Sequence, residues 1–199
     1  MNIKNIYPLP IAKSIIINPS KKEIIALVAQ MPNAQITKYG NFSVKTKTTA
    51  RSGDSTFFRS EKEIGKPTIG CEEYRQVEKL QNDYIASQDM LLIQGYIGLD
   101  QDFRVACQLF IEKTHPNIAA MQQQLYFPRN DNFQAKFSII LTPNLIAERY
   151  PNNRLITVDL ENYVTRVIGS DYFGESKKAG LRMWNKFIYD HGGLALHAA

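Results

Sequence analysis

Four residues near the C-terminal end of the chain have side chains suited to anion chemistry. Tyr172 and Lys178 are six residues apart, Lys177 lies beside Lys178, and His197 follows nineteen residues after Lys178. Apolar residues recur at helical spacing over residues 174–190, which predicts a helix with one buried face. The free N–H groups and the positive dipole end at the start of such a helix favour an anion. A hydroxyl, two amines and an imidazole beside that helix start therefore indicate a site for a charged substrate.

The predicted helix and a strand after it would bring the histidine back to the helix start. From Lys178 onward the helix advances about 18 Å, at roughly 1.5 Å per residue. The double glycine at 192–193 supplies a stop and a turn. Residues 194–197 are predicted to form a short buried strand, which recovers about 10–13 Å at roughly 3.3 Å per residue. We therefore expect His197 to lie near Tyr172 and Lys178.

Structural explanations of the same residues remain open. Lys177 and Lys178 could be solvated side chains in the first turn of the helix, although a cation there faces the positive dipole end and is mildly unfavourable. His197 follows an apolar segment, where a histidine is commonly a hydrogen-bonded core residue. Residue types and spacing alone do not decide between these explanations and an anion site.

The spacing also resembles a motif of ATP-dependent phosphoenolpyruvate carboxykinase. The chain reads Tyr-x-Gly-Glu-x-Lys-Lys from Tyr172 to Lys178, and Leu-His ending at His197 follows after the predicted helix. Both steps, of six and of nineteen residues, match the segment that enters the family's active site. The resemblance extends loosely from about residue 15 to residue 199. It implies the N-terminal, substrate-binding domain of that family.

Arg51 stands where the same family has a substrate-binding arginine. A strand predicted at 42–49 runs into Thr-Thr-Ala-Arg-Ser-Gly-Asp, which resembles the family's Thr-Gly-Arg-Ser-Pro. Ala50 and Gly53 replace the family's glycine and proline, so the shape of this loop is expected to differ. By resemblance Arg51 holds a substrate carboxylate. The alternative is a solvated loop arginine.

The resemblance implies a carboxy-lyase reaction of gluconeogenesis. Oxaloacetate loses carbon dioxide, and the resulting enolate takes a phosphate from ATP to give phosphoenolpyruvate and ADP. Both steps develop negative charge, so cations and fixed donors matter more than a strong base. By resemblance, Arg51 would clamp a carboxylate as a bidentate fork, and Tyr172 would donate to the substrate or to the departing carbon dioxide.

The same resemblance implies a divalent metal cofactor, Mn²⁺ or Mg²⁺. Lys178 and His197 would ligate the metal, which neutralises the enolate, and Lys178 would also contact the substrate. Lysine can ligate a metal only as the neutral amine. Lys177 is the neighbouring cation that would favour this form.

The family's phosphate loop has no counterpart in this chain. No Gly-x-x-x-x-Gly-Lys-[Ser/Thr] segment occurs in the 199 residues, which end at Ala199, two residues after His197. The resemblance therefore implies a substrate-binding half that lacks its partner, a C-terminal half with the main ATP-binding loop. We expect the chain to be inactive by itself. The alternative is a non-catalytic domain that binds a small anion or a dicarboxylate.

Periodicity and turn residues predict alternating strands and helices along the whole chain. Predicted helices follow the capping box of Ser20 and Glu23, cover 72–87, run from His115 to about 125, and cover 174–190. His115 is expected to start its helix without a chemical role. Predicted strands cover 15–17, 34–37, 42–49, 90–96, 104–112, 137–141, 155–158, 163–168 and 194–197. We predict one mixed α/β domain over residues 1–199.

Composition excludes several classes of protein. The formal charge is +5 and the sequence pI is about 9.1, but the basic residues are scattered, so no nucleic-acid partner is expected. A basic domain that handles dicarboxylates and phosphates has the same charge. We find no apolar run of about 20 residues and no signal peptide, so no membrane partner is expected. Cys71 and Cys107 do not make a disulfide framework, which favours the cytoplasm.

Overall fold

Ten β-strands and four α-helices alternate along residues 7–48 and 52–196, the part of the chain that the computed structural model describes. The helices are α1 (Lys21–Ala29), α2 (Cys71–Ile85), α3 (Pro116–Leu125) and α4 (Phe173–Asp190). The strands are β1 (Ser14–Ile17), β2 (Ala34–Ile36), β3 (Phe42–Val44), β4 (Thr56–Arg59), β5 (Thr68–Ile69), β6 (Asp89–Ile97), β7 (Val105–Glu112), β8 (Phe137–Thr142), β9 (Leu155–Asp159) and β10 (Val164–Ile168). This arrangement confirms the predicted mixed α/β class.

Eight of these strands form one mixed sheet, in the order β1-β6-β7-β8-β10-β9-β4-β5, and β2 pairs with β3 separately. The central strands β7, β8 and β10 are parallel to one another. Their neighbours β6 and β9 run antiparallel to them. Strand β1 is parallel to β6, and β4 and β5 are parallel to β9. The carboxyl ends of β7, β8 and β10 therefore lie at the same edge as the starts of β9 and β4. We call this edge the site edge.

The central strands form because most of their side chains are apolar and are covered on both faces. Every residue of β7 and β8 is buried, and both strands read as continuous rather than alternating apolar runs. That pattern is typical of strands with helices packed on both sides of the sheet.

The helices divide between the two faces of the sheet. The larger core joins α1, α3 and α4 to one face, through residues such as Ile24, Ile118 and Met183. Helix α2 covers the other face, where Tyr74 and Val77 pack under β9 and β10. Within the described ranges, no helix combines the length and the hydropathy that a membrane span requires.

Local sequence signals explain two of the helices, α1 by its cap and α4 by its buried face. The Ser20 hydroxyl accepts a hydrogen bond from the Glu23 N–H, and the Glu23 carboxylate accepts one from the Ser20 N–H, which confirms the predicted capping box. Helix α4 presents a buried stripe that includes Ala179, Met183 and Phe187, at the spacing that predicted it.

The structure also corrects three predictions about strands. The strand predicted at 194–197 is wrong for residues 194–196, because no strand forms there and Leu194 and Leu196 are 80% and 78% exposed. The strand predicted at 42–49 ends at Val44. Strands β4 and β5 were not predicted. Both are short, and they depend on pairing with each other and with β9.

Candidate functional site

The start of α4 lies at the site edge, directly after β10. Gly169 makes the turn between them with a positive φ of 71°, and a Cβ there would lie 2.4 Å from the Asn153 carbonyl oxygen. This position therefore needs glycine. Tyr172 occupies the N-cap position of α4 with an extended backbone. The first N–H groups of α4 consequently point toward the site edge, as expected for an anion-binding helix start.

Glu175 is the buried centre of the polar groups at this helix start. Its side chain is 0% exposed. Oε1 accepts a hydrogen bond from the Ser52 hydroxyl at 2.6 Å and lies 2.7 Å from Lys178 Nζ. Oε2 lies 3.8 Å from Arg182 Nη1. Two cations on successive turns of the helix thus compensate one buried carboxylate.

Tyr172 and Lys178, two of the four predicted site residues, are brought together by this helix start. Lys178 Nζ lies 5.6 Å from the centroid of the Tyr172 ring, in cation–π geometry. Gly174 makes room for that ring, because a Cβ on Gly174 would lie 2.2 Å from Tyr172 Cε1. Lys177 is exposed, whereas Lys178 is partly buried and directed to Glu175. The charged group in contact with Lys178 is therefore a carboxylate rather than the neighbouring lysine.

The other two predicted site residues, Arg51 and His197, lie outside the described residues. Ser52, which follows Arg51 in sequence, is buried and also contacts Lys178 Nζ, at 3.4 Å. The strand that was expected to return His197 to the helix start is absent over Leu194 to Leu196, as described above. The expected positions of Arg51 and His197 stay predictions.

Asp171 is a site residue that sequence reasoning missed. One carboxylate oxygen accepts hydrogen bonds from the Thr48 N–H at 2.8 Å and the Thr48 hydroxyl at 2.5 Å, and the other accepts one from the Lys47 N–H at 2.7 Å. Burial opposes ionisation of this carboxyl, but these hydrogen bonds outweigh it and lower the pKa of Asp171 below its usual value. The sequence could have indicated this residue, because Asp171 directly precedes Tyr172 of the motif.

Glu112 and His115, at the end of β7, complete the polar lining of the site edge. Burial raises the pKa of Glu112, although hydrogen bonds from Asn144 and Thr114 oppose the shift. Burial lowers the pKa of His115, the charge of Asp171 opposes that shift, and Lys47 adds to it. His115 is the N-cap residue of α3, which confirms its predicted place at a helix start.

A cavity in the described part of the chain lies away from this helix start. It has a volume of about 700 Å³ on the α2 face, and its apolar lining includes Val77, Leu80 and Ile146. Of the predicted site residues that the structure describes, neither Tyr172 nor Lys178 lines it. Its lining mixes apolar side chains with Glu73, Glu148 and Arg149. The anion site expected at the start of α4 stays a prediction.

The described residues do not form a metal centre. Within residues 7–48 and 52–196, no group of three or more His, Cys, Asp and Glu side chains is arranged to hold a metal ion. Of the two predicted ligands, Lys178 contacts Glu175 and Ser52, and His197 lies outside the described residues. Ligation of a divalent metal by Lys178 and His197 therefore stays a prediction.

A mixed sheet that presents a tyrosine, a lysine and a buried carboxylate at one helix start defines an α/β protein with a polar cluster at the site edge. The family model described as phosphoenolpyruvate carboxykinase matches residues 13–199. The chain therefore belongs to the phosphoenolpyruvate carboxykinase family.

The curated relatives are distant but span the chain. A phosphoenolpyruvate carboxykinase (ATP) from Caldanaerobacter subterraneus subsp. tengcongensis is 25% identical over 100% of this chain and 39% of its own length. The relative of the same name from Alkaliphilus oremlandii is 21% identical over 100% of this chain and 41% of its own length. The one from Aeropyrum pernix is 27% identical over 83% of this chain and 31% of its own length. The chain thus spans about two fifths or less of the length of these relatives.

Proposed function

We propose that residues 1–199 form the substrate-binding domain of an ATP-dependent phosphoenolpyruvate carboxykinase. In this function the domain binds oxaloacetate and phosphoenolpyruvate. A nucleotide-binding part beyond these 199 residues supplies the phosphate loop for ATP. The observation that carries the proposal is the contact of Tyr172 with Lys178 at the start of α4, in a chain of this family. Two free thiols, Cys71 and Cys107, are compatible with action in the cytoplasm.

Each proposed site residue has a role that suits its chemistry. Arg51 holds a substrate carboxylate through two parallel N–H donors. The Tyr172 hydroxyl donates a hydrogen bond to the substrate or to the carbon dioxide that leaves. Lys178 contacts the substrate near the oxygen that becomes the enolate, and it also serves as a proposed metal ligand in its neutral amine form. Fixed cations and donors of this kind lower the free energy of a transition state that carries more negative charge than the substrate does.

The proposed metal, Mn²⁺ or Mg²⁺, would supply further positive charge to the enolate oxygen when bound. Its proposed ligands in this chain are Lys178 and His197. Two protein ligands hold a metal weakly, so the rest of the shell must come from the nucleotide-binding part, the substrate or water.

Binding of a small dicarboxylate tests the proposal. Titration calorimetry of the 199-residue chain with oxalate is expected to show one site. Arg51→Ala should weaken binding by about 2–3 kcal/mol, as for the loss of one partner from a desolvated charge pair. Arg149→Ala is the matched control, because Arg149 is an exposed arginine beside the α2-face cavity. It should leave the affinity unchanged.

Two outcomes contradict the proposal. Equal affinities of the original chain and Arg51→Ala would make Arg51 a solvated loop residue. Absence of oxalate binding by the unmodified chain would remove the substrate-binding role from this domain. Binding that depends on Arg51, in a protein that supports no turnover with any nucleotide-binding part, would favour the alternative of a non-catalytic dicarboxylate-binding domain.

A further inference from the structure

A second cavity lies between α3 and α4, on the sheet face that these two helices cover. We call it the α3–α4 groove. It has a volume of about 290 Å³, and its apolar lining includes Ile97 of β6, Leu125 of α3 and Leu181 of α4. Neither Tyr172 nor Lys178 lines it, so the groove is separate from the polar cluster at the site edge.

The packing of α4 against β6 leaves the groove accessible from solvent. Gly180 lies within α4, although glycine is a poor helix former. A Cβ there would lie 3.0 Å from Ile97 Cδ1, so the absence of a side chain lets α4 lie close to the end of β6. Leu181 and Trp184, further along the helix, are only partly buried, and Leu125 is 49% exposed. The groove therefore presents an open apolar surface.

Two polar groups of α4 distinguish the groove from a plain apolar surface. Trp184 Nε1 is buried, and it has no hydrogen-bond partner among the described residues. Because such an N–H has lost its bond to water, an acceptor on a ligand would restore a hydrogen bond to it. Lys177 is exposed, and it forms no ion pair within the described ranges. The described lining of the groove contains no acidic side chain, so the groove suits a negative charge.

Apolar lining separates these two polar groups. Lys177 and Trp184 are seven residues apart on one side of the helix, which is about 10 Å along the axis at roughly 1.5 Å per residue. Gly180 and Leu181 lie between them. An apolar cavity of about 150 Å³ holds benzene. A groove of about 290 Å³ therefore has room for one aromatic ring with a short side chain.

We propose that the α3–α4 groove binds a small aromatic carboxylate that carries a hydrogen-bond acceptor on its ring. The carboxylate lies toward Lys177, and the ring packs between Leu125 and Leu181. The acceptor at the far end of the ring takes the hydrogen bond of the Trp184 N–H. This site is independent of the proposed function, because it uses neither the start of α4 nor a residue assigned there to the substrate or the metal.

The fluorescence of Trp184 reports binding directly, because the chain contains one tryptophan. The probe is para-hydroxyphenylpropionate, added to the 199-residue chain. The emission should change saturably at about 1 mM or less, as expected for a ligand of about a dozen non-hydrogen atoms. The uncharged amide of the same acid should bind about three- to fivefold more weakly, the worth of one exposed ion pair. Phenylpropionate, which lacks the acceptor, should bind about fivefold more weakly.

Two pairs of variants, measured by titration calorimetry, locate the site. Leu125→Glu places a negative charge in the groove and should weaken binding of the acid by about tenfold or more. Met121→Glu is its matched control, because Met121 is a 36% exposed residue of the same helix that does not line the groove, and it should stay within about twofold. Lys177→Gln should weaken binding of the acid about three- to fivefold and leave the amide unchanged. Lys186→Gln, whose lysine pairs with Asp190 outside the groove, should change neither.

Several results would overturn the proposal. An emission that does not change saturably would remove the site, and equal affinities for the acid and the amide would remove its preference for a carboxylate. Equal effects of Leu125→Glu and Met121→Glu would place the probe outside the groove. Displacement of the probe by oxalate would place it at the start of α4 instead. None of these results alters the test of the proposed function, which uses oxalate and Arg51.

Discussion

At the scale of single residues, the stability of the α4 start depends on how well the charge of the buried Glu175 carboxylate is compensated. A buried carboxylate is costly unless cations and hydrogen-bond donors compensate it. Lys178, whose side chain is 32% exposed, and Arg182 supply the cations, while Ser52 supplies a hydrogen bond. Burial lowers the pKa of Arg182, and the charge of Glu175 opposes that shift. Removal of Lys178 would therefore reduce stability along with the local positive charge.

Gly174 offers a change that displaces the Tyr172 ring without replacing any charged residue of this cluster. A Cβ at residue 174 would meet Tyr172 at Cε1, Cζ and the hydroxyl, at 2.2, 2.5 and 2.7 Å, so Gly174→Ala must displace the ring. Alanine is the better helix former by up to about 1 kcal/mol, so α4 should persist. We expect Gly174→Ala to weaken oxalate binding roughly fivefold, the worth of one neutral hydrogen bond. Titration calorimetry and circular dichroism would measure the two effects.

Gly70→Ala is the control for this substitution. Gly70 also stands at a helix start, that of α2, and a Cβ there would make only ordinary contacts with the Glu61 carboxylate, at 3.7 and 3.8 Å. Its oxalate affinity should not change. An unchanged affinity in Gly174→Ala as well would show that the position of the Tyr172 ring has no part in binding.

At the scale of secondary-structure elements, the sequence predicts the helices and strands whose apolar residues recur periodically or form long buried runs. Helix α4 was predicted at 174–190 and is observed at Phe173–Asp190, because its buried residues repeat at helical spacing. Strands β7 and β8 were predicted within one residue at each end, because their apolar runs are long enough to stand out. In these segments local pattern and tertiary packing agree.

Strand β4 was missed because long-range pairing creates it. It has four residues, and Phe57 and Phe58 follow one another without the alternation that marks a half-buried strand. The structure uses both rings: Phe57 packs with the α2 face, at 5.8 Å from the Tyr150 ring, and Phe58 packs with the opposite core. The parallel register with β9 joins segments about 100 residues apart, which no local pattern records.

The strand predicted after α4 shows the opposite error. Leu194 and Leu196 form an apolar pattern that is typical of a buried strand, yet no pairing partner covers them in the described structure. For the site as well, a local sequence pattern does not record contacts between distant segments. Spacing within one helix predicted that Tyr172 and Lys178 share a site. The contacts of Asp171 with Thr48 and of Glu175 with Ser52 span 123 residues and were out of reach of any local pattern.

Stability measurements can separate the exposed leucines from the core. Leu141→Ala in β8 should cost about 2–5 kcal/mol of unfolding free energy, because Leu141 is 0% exposed and the change leaves a cavity. Leu194→Ala should stay within about 0.5 kcal/mol, as expected for an exposed side chain. Urea denaturation monitored by tryptophan fluorescence gives both values. A cost above about 1 kcal/mol for Leu194→Ala would mean that this segment packs against the protein.

At the scale of the whole molecule, the site depends on how the sheet is ordered. The turn after β10 delivers Asp171 and Tyr172, and the segment before β4 delivers Ser52, although β9 lies between these strands. Because β10 runs opposite to β9 and β4, the end of one and the starts of the others meet at the site edge. The sheet therefore brings two distant segments to one helix start. Neither segment alone contains the whole polar cluster.

The same reasoning predicts what the chain does without further parts. Phosphate transfer requires that the nucleotide phosphates be held by backbone N–H groups and a lysine, as a phosphate loop does. The 199 residues contain no such loop, and they span 39% of the relative from Caldanaerobacter subterraneus subsp. tengcongensis. We therefore expect the purified chain to form no phosphoenolpyruvate from oxaloacetate, ATP and Mn²⁺. A coupled assay with a detection limit far below about 1 per second would measure this.

Addition of a separate C-terminal part distinguishes a working substrate site from a domain that only binds dicarboxylates. The C-terminal part of a relative, expressed separately and mixed with this chain, should restore turnover if the chain supplies a working substrate site. Arg51→Ala in the same mixture should then lose that turnover, whereas Arg149→Ala should keep it. Turnover by the chain alone, at about 1 per second or more, would mean that it holds a nucleotide site of another kind. If the mixture stays inactive although the chain binds oxalate through Arg51, then the chain binds dicarboxylates without serving catalysis.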